Sequence, residues 1–235
     1  MRLDQYLTKH FDIQSRNKAS ELIKAKKIKI DEKIVSKPSF QVEENMTIEI
    51  LQSDFFVSRA AYKLKYFLEE INLDLKDLNA LDIGSSTGGF TQILLNNEVK
   101  KVTCVDVGSN QLHETLKKNE KINFFENTDI RNFNTDESFD IVTCDVSFIS
   151  ILNIIDAIDT LATDKIIILF KPQFEVGINV KRDKKGVVKD QKAIENSKVK
   201  FLDTANKLKW KLNYYSSSKL QGKDGNDEEL FYFSK

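Results

Sequence analysis

The sequence predicts an α/β fold: a mostly parallel sheet of seven strands with helices on both faces, preceded by a small α+β unit. Three observations carry this prediction. From Asn79 onward, short apolar strand patterns alternate with helical ones, and alternating β and α elements build a parallel sheet covered on both sides. The stretch Ala80-Leu-Asp-Ile-Gly-Ser-Ser-Thr-Gly-Gly-Phe90 sets three of the chain's eight glycines within six residues, between a strand pattern and a helix pattern. The first 51 residues lack that alternation and carry a charge excess of their own.

Within residues 1–51, Leu3, Tyr6 and Leu7 recur at helical spacing, as do Ala19, Leu22 and Ile23 after a capping Ser15. Lys27-Ile-Lys-Ile30 and Thr47-Ile-Glu-Ile50 alternate as strands do. Two short helices packed on a small hairpin is the simplest arrangement. Residues 52–59 form the expected connection. There Ser58 caps a helix that aligns Ala61, Leu64, Phe67 and Leu68 on one face, with Lys63 beside them. In residues 60–235, strands are expected at 80–83, 102–105, 122–126, 140–144, 165–170, 211–217 and 229–233. Helices are expected between most of them, notably over 150–160 and 191–208. The glycine-containing turn at 222–226 suits an antiparallel hairpin for the last two strands. Trp210 and one of Tyr214 and Tyr215 are expected in the core.

Hydrophobic residues make up 40% of the 235 positions, enough for a sizeable core. No apolar run is long enough to span a bilayer, and the longest, 166–170, suits a buried strand. Met1-Arg-Leu-Asp-Gln5 lacks the apolar centre of a signal peptide. Cys104 and Cys144 both fall in predicted strands and read as reduced core residues. His10 and His113 lie in different units with no metal-ligand spacing, so surface or cap roles suit them. A cytoplasmic protein without metal or membrane segment is the expectation. Net charge is zero, yet residues 1–37 hold ten Lys/Arg against five Asp/Glu. A basic end on a neutral chain points to a polyanionic partner. A helical cap with solvated lysines is the alternative, because lysine outnumbers arginine 31 to 5 in the whole chain.

The glycine loop is shaped for a ligand. Gly84 can take a backbone angle closed to other residues, and Gly88 and Gly89 allow close approach to the main chain. Free N–H groups at the next helix start would face an anion. The spacing G-x-x-x-G-G fits neither the dinucleotide fingerprint nor the P-loop, and a tight strand–helix turn without a ligand remains the plain alternative. Asp82 lies in the first strand, Asp106 closes the second and Asp129 follows the third. Ligands of such sheets sit at the carboxyl ends of strands, although each acid alone could cap the next turn. Asp145 ends the fourth strand and Lys171 the fifth, where a lysine after five apolar residues is an expensive place for a charge. With Lys63 and Glu228 these form either a buried ion-pair network or a proton-handling site. Glu229 adjoins Glu228, and strand alternation sends only one of them inward.

The loop, read as Asp82-x-Gly84 followed by Gly88-Gly89-Phe90, resembles the first motif of S-adenosylmethionine (AdoMet) methyltransferases, and the seven strands with a terminal hairpin resemble their Rossmann-like fold. That resemblance implies that Asp82 and the loop residues Gly84, Ser85, Ser86, Thr87, Gly88, Gly89 and Phe90 hold the methionine end. It assigns Asp106 and Val107 to the ribose, and Asp129 and Ile130 to the adenine. Lys63, Asp145, Lys171 and Glu228 resemble the Lys-Asp-Lys-Glu tetrad of ribose 2′-O-methyltransferases. Lys171 is then the base, Asp145 its partner, and Glu228 steers the nucleophile or pairs with Lys63. The donor's sulfonium already activates the methyl, so no metal is required. Arg2-Leu-Asp-x-x-Leu7, Ser15-Arg16-x-x-Ala19, Leu22-Ile23 and Val35-x-x-Lys-Pro-Ser39 resemble the S4 RNA-binding module, which implies that Arg2, Ser15, Arg16 and Lys18 meet RNA. The sequence departs from that pattern at Lys26 and Glu32, where glycine is usual.

Together with Ser58-Arg-Ala-Ala-Tyr-Lys-Leu64, Cys144-Asp-Val-Ser-Phe-Ile-Ser150, Lys171-Pro-Gln-Phe-Glu175, Gly186-Val-Val-Lys-Asp190 and Gly225-Asn-Asp-Glu228, these motifs are similar to the TlyA family of ribosomal RNA 2′-O-methyltransferases over nearly the whole chain. The resemblance implies a cytidine ribose in ribosomal RNA as methyl acceptor, in 23S and in some members also 16S RNA. Arg59 and Arg182 join the expected RNA contacts, and a monomer is expected. The start at Arg-Leu-Asp and the short end resemble the form that modifies the large subunit alone. Two other classes stand beside it: an S4-type RNA-binding protein with a non-catalytic scaffold, and a membrane-lytic protein, since the family is also called haemolysin.

Overall fold

The computed structural model of the chain describes residues 1–11, 13, 15–43, 46–51 and 56–235, so residues 52–55 of the expected connection lie outside the described residues. Two compact units are distinct, residues 1–55 and 56–235.

In the smaller unit, α1 (Leu3–His10) and α2 (Arg16–Lys24) accompany a three-stranded antiparallel sheet. Its central strand β1 (Ile28–Ile30) pairs with β2 (Lys33–Val35) and β3 (Ile48–Ile50). Leu3, Leu7, Ala19, Ile23 and Ile28 are buried at the centre. Strand β2 escapes the sequence pattern because Lys33 and Ile34 are both exposed, so no apolar alternation marks it. Asp31 and Glu32 link β1 to β2 at φ 44° and 67°, the two-residue turn that matches strand twist. Lys26 stands past the end of α2 at φ 60°. Its N–H donates to the Ile23 carbonyl and that of Lys27 to Leu22, at 3.0 Å each, a Schellman closure. The two sites where glycine is usual thus keep a left-handed backbone while bearing side chains, at a cost of about 1 kcal/mol each.

The larger unit begins with α3 (Arg59–Ile71) and continues through β4 (Asn79–Ile83), α4 (Gly89–Asn96), β5 (Lys101–Val105), α5 (Glu114–Lys117) and β6 (Ile122–Phe125). Then come β7 (Phe139–Cys144), α6 (Ile155–Leu161), β8 (Ala162–Phe170), α7 (Pro172–Glu175), α8 (Gln191–Lys207), β9 (Lys211–Ser217) and β10 (Glu229–Ser234). The strand order is β6-β5-β4-β7-β8-β10-β9. Strands β4 to β8 run parallel, and β10 is antiparallel to both β8 and β9. The chain moves from β4 out to β6, then returns to build β7 and β8 on the other side. That reversal opens a crevice at the carboxyl ends of the strands. The helix expected over 150–160 is divided. A single 3-10 turn, Ile151–Asn153, precedes α6, because the Glu175 carboxylate takes the Ile151 N–H (2.9 Å) and the Ser150 hydroxyl (2.6 Å).

Strand alternation sorts the core into two layers. On one face, Leu81, Ile83, Val142, Cys144, Ile166, Ile168, Phe231 and Phe233 pack with α6 and α8. On the other, Ala80, Ile141, Ile167, Leu169 and Leu230 pack with α3 and α4. Both cysteines are buried, and desolvation pushes the Cys144 thiol up to about 12. Trp210 is buried and its indole N–H donates to Asp159 at 2.7 Å. Tyr214 and Tyr215, one of which was expected inside, are both substantially exposed. They lie on β9, the edge strand, with Tyr214 beside Phe67 of α3 and Tyr215 stacked on Phe231, each ring packed only in part.

Replacing Lys26 by glycine should stabilise α2 and its cap by about 1 kcal/mol. Hydrogen exchange of the α2 amides measures this as slower local opening, and unchanged exchange would mean that the left-handed site carries no strain.

Candidate active site

The same alternation gathers the four charged residues on the α3 face. Asp145, one residue past β7, keeps the parity of Ile141; Lys171, one past β8, that of Ile167 and Leu169; and Glu228, just before β10, that of Leu230. Strands β7 and β8 are parallel neighbours, while β10 begins beside the end of β8, with Glu229 opposite Phe170. Lys63 enters from α3. The result is two ion pairs: Lys63 Nζ to Glu228 Oε2 at 2.5 Å, and Lys171 Nζ to Asp145 Oδ1 at 2.6 Å. The pairs are within electrostatic reach of one another. Burial pushes the Asp145 carboxyl up, Lys171 and Lys63 pull it down, and Glu228 adds to the rise. Glu229 has the opposite parity and pairs with Lys198 of α8 at 2.8 Å.

A cavity of about 290 Å³ opens beside these residues, lined by Gly84, Ser86, Asp106, Val107, Asp129 and Ile130 among others. A smaller one of about 180 Å³ is lined by Ser58, Ser85, Thr87, Gly89, Phe90 and Lys171, and shares Gly84, Ser86, Asp145 and Ser147 with the first. Asp106 accepts the Ser86 N–H at 2.8 Å on one oxygen and the Gly108 N–H at 2.7 Å on the other. Each oxygen keeps capacity for another donor. The buried Ser85 hydroxyl has no partner within the protein and lines the smaller cavity. Such an orphan suits a polar ligand.

Gly84 bends at φ 76°, and a Cβ there would meet the Asp145 carbonyl at 2.9 Å. The clearance at Gly88 and Gly89, expected to admit a ligand, is filled by the protein itself. A Cβ on Gly88 would strike Leu112 and Leu116, and one on Gly89 would strike the Ser58 hydroxyl and the Ala61 backbone. These glycines let α5 and α3 pack against the loop. Asp82 does not reach either cavity. It is fully buried below the loop, accepting hydroxyls from Thr91 at 2.6 Å and Thr143 at 3.0 Å. Desolvation pushes its carboxyl up to about 7. Asp129 lines the larger cavity, but Arg131 grips both its oxygens and holds it low.

Among the expected RNA contacts, Arg2 and Arg16 converge on buried Asp4, each at 3.0 Å. The Arg2 bond lowers the Asp4 carboxyl to about 2, and both arginine side chains stay about half exposed. Ser15 spends its hydroxyl on the Lys18 N–H as the α2 cap. Arg59 donates to the Gln221 carbonyl at 3.3 Å. Arg182 is committed to its own loop, donating to the carbonyls of Gln173 (2.9 Å), Gly177 (3.0 Å) and Val180 (2.8 Å).

Several residues enter the site without having been singled out for it. Ser58 heads α3 but makes no cap bond; it lines the smaller cavity with its hydroxyl set against Gly89. Ser147 accepts from Lys171 Nζ at 3.0 Å. Gln173 donates to Glu228 Oε1 at 3.3 Å. Phe148 lines the larger cavity while 92% exposed, at φ 67°. A bulky residue in that region is strained, which is common at functional sites. Their signal lay in the Ser58, Cys144 and Lys171 motifs, which name these positions but not their tasks.

Residues 56–235 match the family model of FtsJ-like methyltransferases, and residues 1–48 match that of the S4 domain. The chain is 48% identical to the 23S rRNA (cytidine-2′-O)-methyltransferase TlyA of Campylobacter jejuni over all of both chains. It is 32% identical to Hemolysin A of Brachyspira hyodysenteriae over 99% of each. The solved structure of a candidate hemolysin from Streptococcus thermophilus superposes with a TM-score of 0.72 at 28% identity, covering 100% of this chain and 88% of that one. Among the described residues, no helix is long and apolar enough to cross a membrane, and no cluster of three or more His, Cys, Asp or Glu could hold a metal.

The position of Asp82 makes stability depend on pH. Near pH 4 the unfolded chain begins to lose a proton that folded Asp82 keeps until about pH 7, so stability falls as pH rises through that window. Asp82→Asn, which can still bond both threonines, should flatten the slope by up to ~1.4 kcal/mol per pH unit. Urea midpoints from pH 4 to 7 measure it, and an unchanged slope would show that Asp82 is ionised in the fold.

Proposed function

We propose, since this chain belongs to the TlyA family of FtsJ-like methyltransferases with an N-terminal S4 domain, that it transfers a methyl group from AdoMet to the ribose 2′-hydroxyl of a cytidine in 23S ribosomal RNA. The observation that carries the proposal is the Lys171–Asp145 contact at the edge of the cavities built on the glycine loop, backed by the buried Lys63–Glu228 pair.

The walls suit AdoMet by their chemistry. Asp106 has acceptor capacity left for two ribose hydroxyls. Val107 and Ile130 offer apolar surface for an adenine ring. Asp129 would share its oxygens between Arg131 and an adenine amino group. The hydroxyls of Ser58 and Ser85, with N–H groups at the start of α4, would meet the methionine carboxylate. When bound, AdoMet supplies a methyl group already activated by its sulfonium.

The remaining work belongs to the chain. A 2′-hydroxyl attacks poorly until its proton is taken or tightly held, and Lys171, once it has given its own proton to solvent, is the group at hand to take it. Asp145 then pairs with the ammonium that results, so no uncompensated charge develops in a half-dry site. Lys63 and Glu228 hold the neighbouring polar wall, with Glu228 further tied by Gln173. The exposed ring of Phe148 presents a stacking face to a base. On the smaller unit, Arg2 and Arg16 are pre-set side by side for RNA phosphates. The work is done where ribosomal RNA is made, which fits a cytoplasmic enzyme.

Incubation with methyl-labelled AdoMet and unmodified ribosomal subunits should label 23S RNA at one cytidine 2′-oxygen, located by mass mapping of fragments. No label in RNA would overturn the proposal. Lys171→Ala should lower transfer by at least about 100-fold and leave AdoMet affinity, measured by calorimetry, near that of the unaltered protein. Near-normal turnover would remove Lys171 from the role of base.

A further inference from the structure

Lys171 has two partners, not one. Its Nζ lies 2.6 Å from Asp145 Oδ1 and 3.0 Å from Ser147 Oγ. Ser147 borders both cavities, at the place where they meet. The distinction matters for an amine that must act as a base. An ammonium carries three N–H bonds; the neutral amine carries two, with a lone pair in the third tetrahedral position. The Asp145 carboxylate holds the nitrogen by charge, but its Oδ1 lies outside hydrogen-bond geometry, so it does not fix which tetrahedral position carries the lone pair. The Ser147 hydroxyl is an acceptor in hydrogen-bond geometry and claims one N–H.

We infer that Ser147 is a positioning residue for the methyl-transfer reaction: by accepting one N–H of Lys171, it leaves the amine's lone pair aimed at the junction of the two cavities, where the ribose 2′-hydroxyl must lie. The hydroxyl proton moves to that lone pair, and Lys171 becomes an ammonium held by Asp145 and Ser147 together. The exposed Ser147 hydroxyl can turn its own hydrogen to water, so it serves as acceptor without needing a buried partner. This inference rests on the proposed function and adds to it the group that orients the base. Asp145 supplies charge and Ser147 supplies direction.

The test is single-turnover methylation of ribosomal subunits at saturating AdoMet, with Ser147→Ala and Ser147→Thr beside the unaltered protein. The alanine variant should lose roughly 10- to 100-fold in rate, while its affinities for AdoMet and RNA and its melting temperature stay unchanged. Threonine, which keeps the hydroxyl, should recover most of the rate. A near-normal alanine variant would overturn the inference. So would a loss that follows weakened AdoMet or RNA binding, or a folded threonine variant as slow as alanine. Failure of the unaltered protein to label RNA would instead remove the methyl-transfer proposal itself, so the two failures are distinguishable.

Discussion

A charge taken out of water alone costs several kcal/mol, and a partner in good geometry offsets most of that cost. The carboxyl end of this sheet holds four such charges, two lysines and two acids, and it holds them only as pairs. Lys63 needs Glu228, and Lys171 needs Asp145. The requirement fixes much else. Helix α3 must lie over the face to which Lys171 and Glu228 point, and β10 must run antiparallel to β8 so that its first residues reach the end of that strand. Glu228 and Glu229, adjacent in sequence, serve opposite faces: one closes the site, the other ties α8 through Lys198.

Period and punctuation made the sheet legible. Most strands of the larger unit showed themselves as apolar runs, β8 most plainly because its carboxyl-terminal half is buried on both faces, while edge strand β9 is polar and exposed. Short elements with exposed side chains did not, as with β2. Among site residues, those that end a strand could be read: Asp106, Asp145 and Lys171 stand where apolar runs stop. A side chain's partner could not be read, because partners come from distant segments. Asp82 looked like a ligand group until Thr91 and Thr143 were found on it. Gly88 and Gly89 looked like clearance for a ligand, and the clearance is used by Leu112, Leu116 and Ser58.

The arginines follow one physical rule. The chain has 31 lysines and five arginines, and each arginine bonds an acceptor within the protein: Asp4 for Arg2 and Arg16, Asp129 for Arg131, and backbone carbonyls for Arg59 and Arg182. A planar fork of five donors does what a lysine cannot. Arg182 spans the loop after α7 by joining several carbonyls at once, which an ammonium on a flexible stem would not hold in place. Arg2 and Arg16 do both jobs, since Asp4 anchors them while about half of each side chain stays in water.

Glu175 lies one turn beyond Lys171, and its carboxylate binds the serine and the backbone that follow Asp145 by five and six residues. The two loops that carry the acid and the base are therefore cross-braced. The distance between Asp145 and Lys171 is set by a closed ring of covalent and hydrogen bonds through two paired strands, as in a truss, and not by the preferences of either loop. In such a frame a load on one member is shared by the other. A ligand that touches the Asp145 loop and one that touches the Lys171 loop therefore bear on the same braced pair.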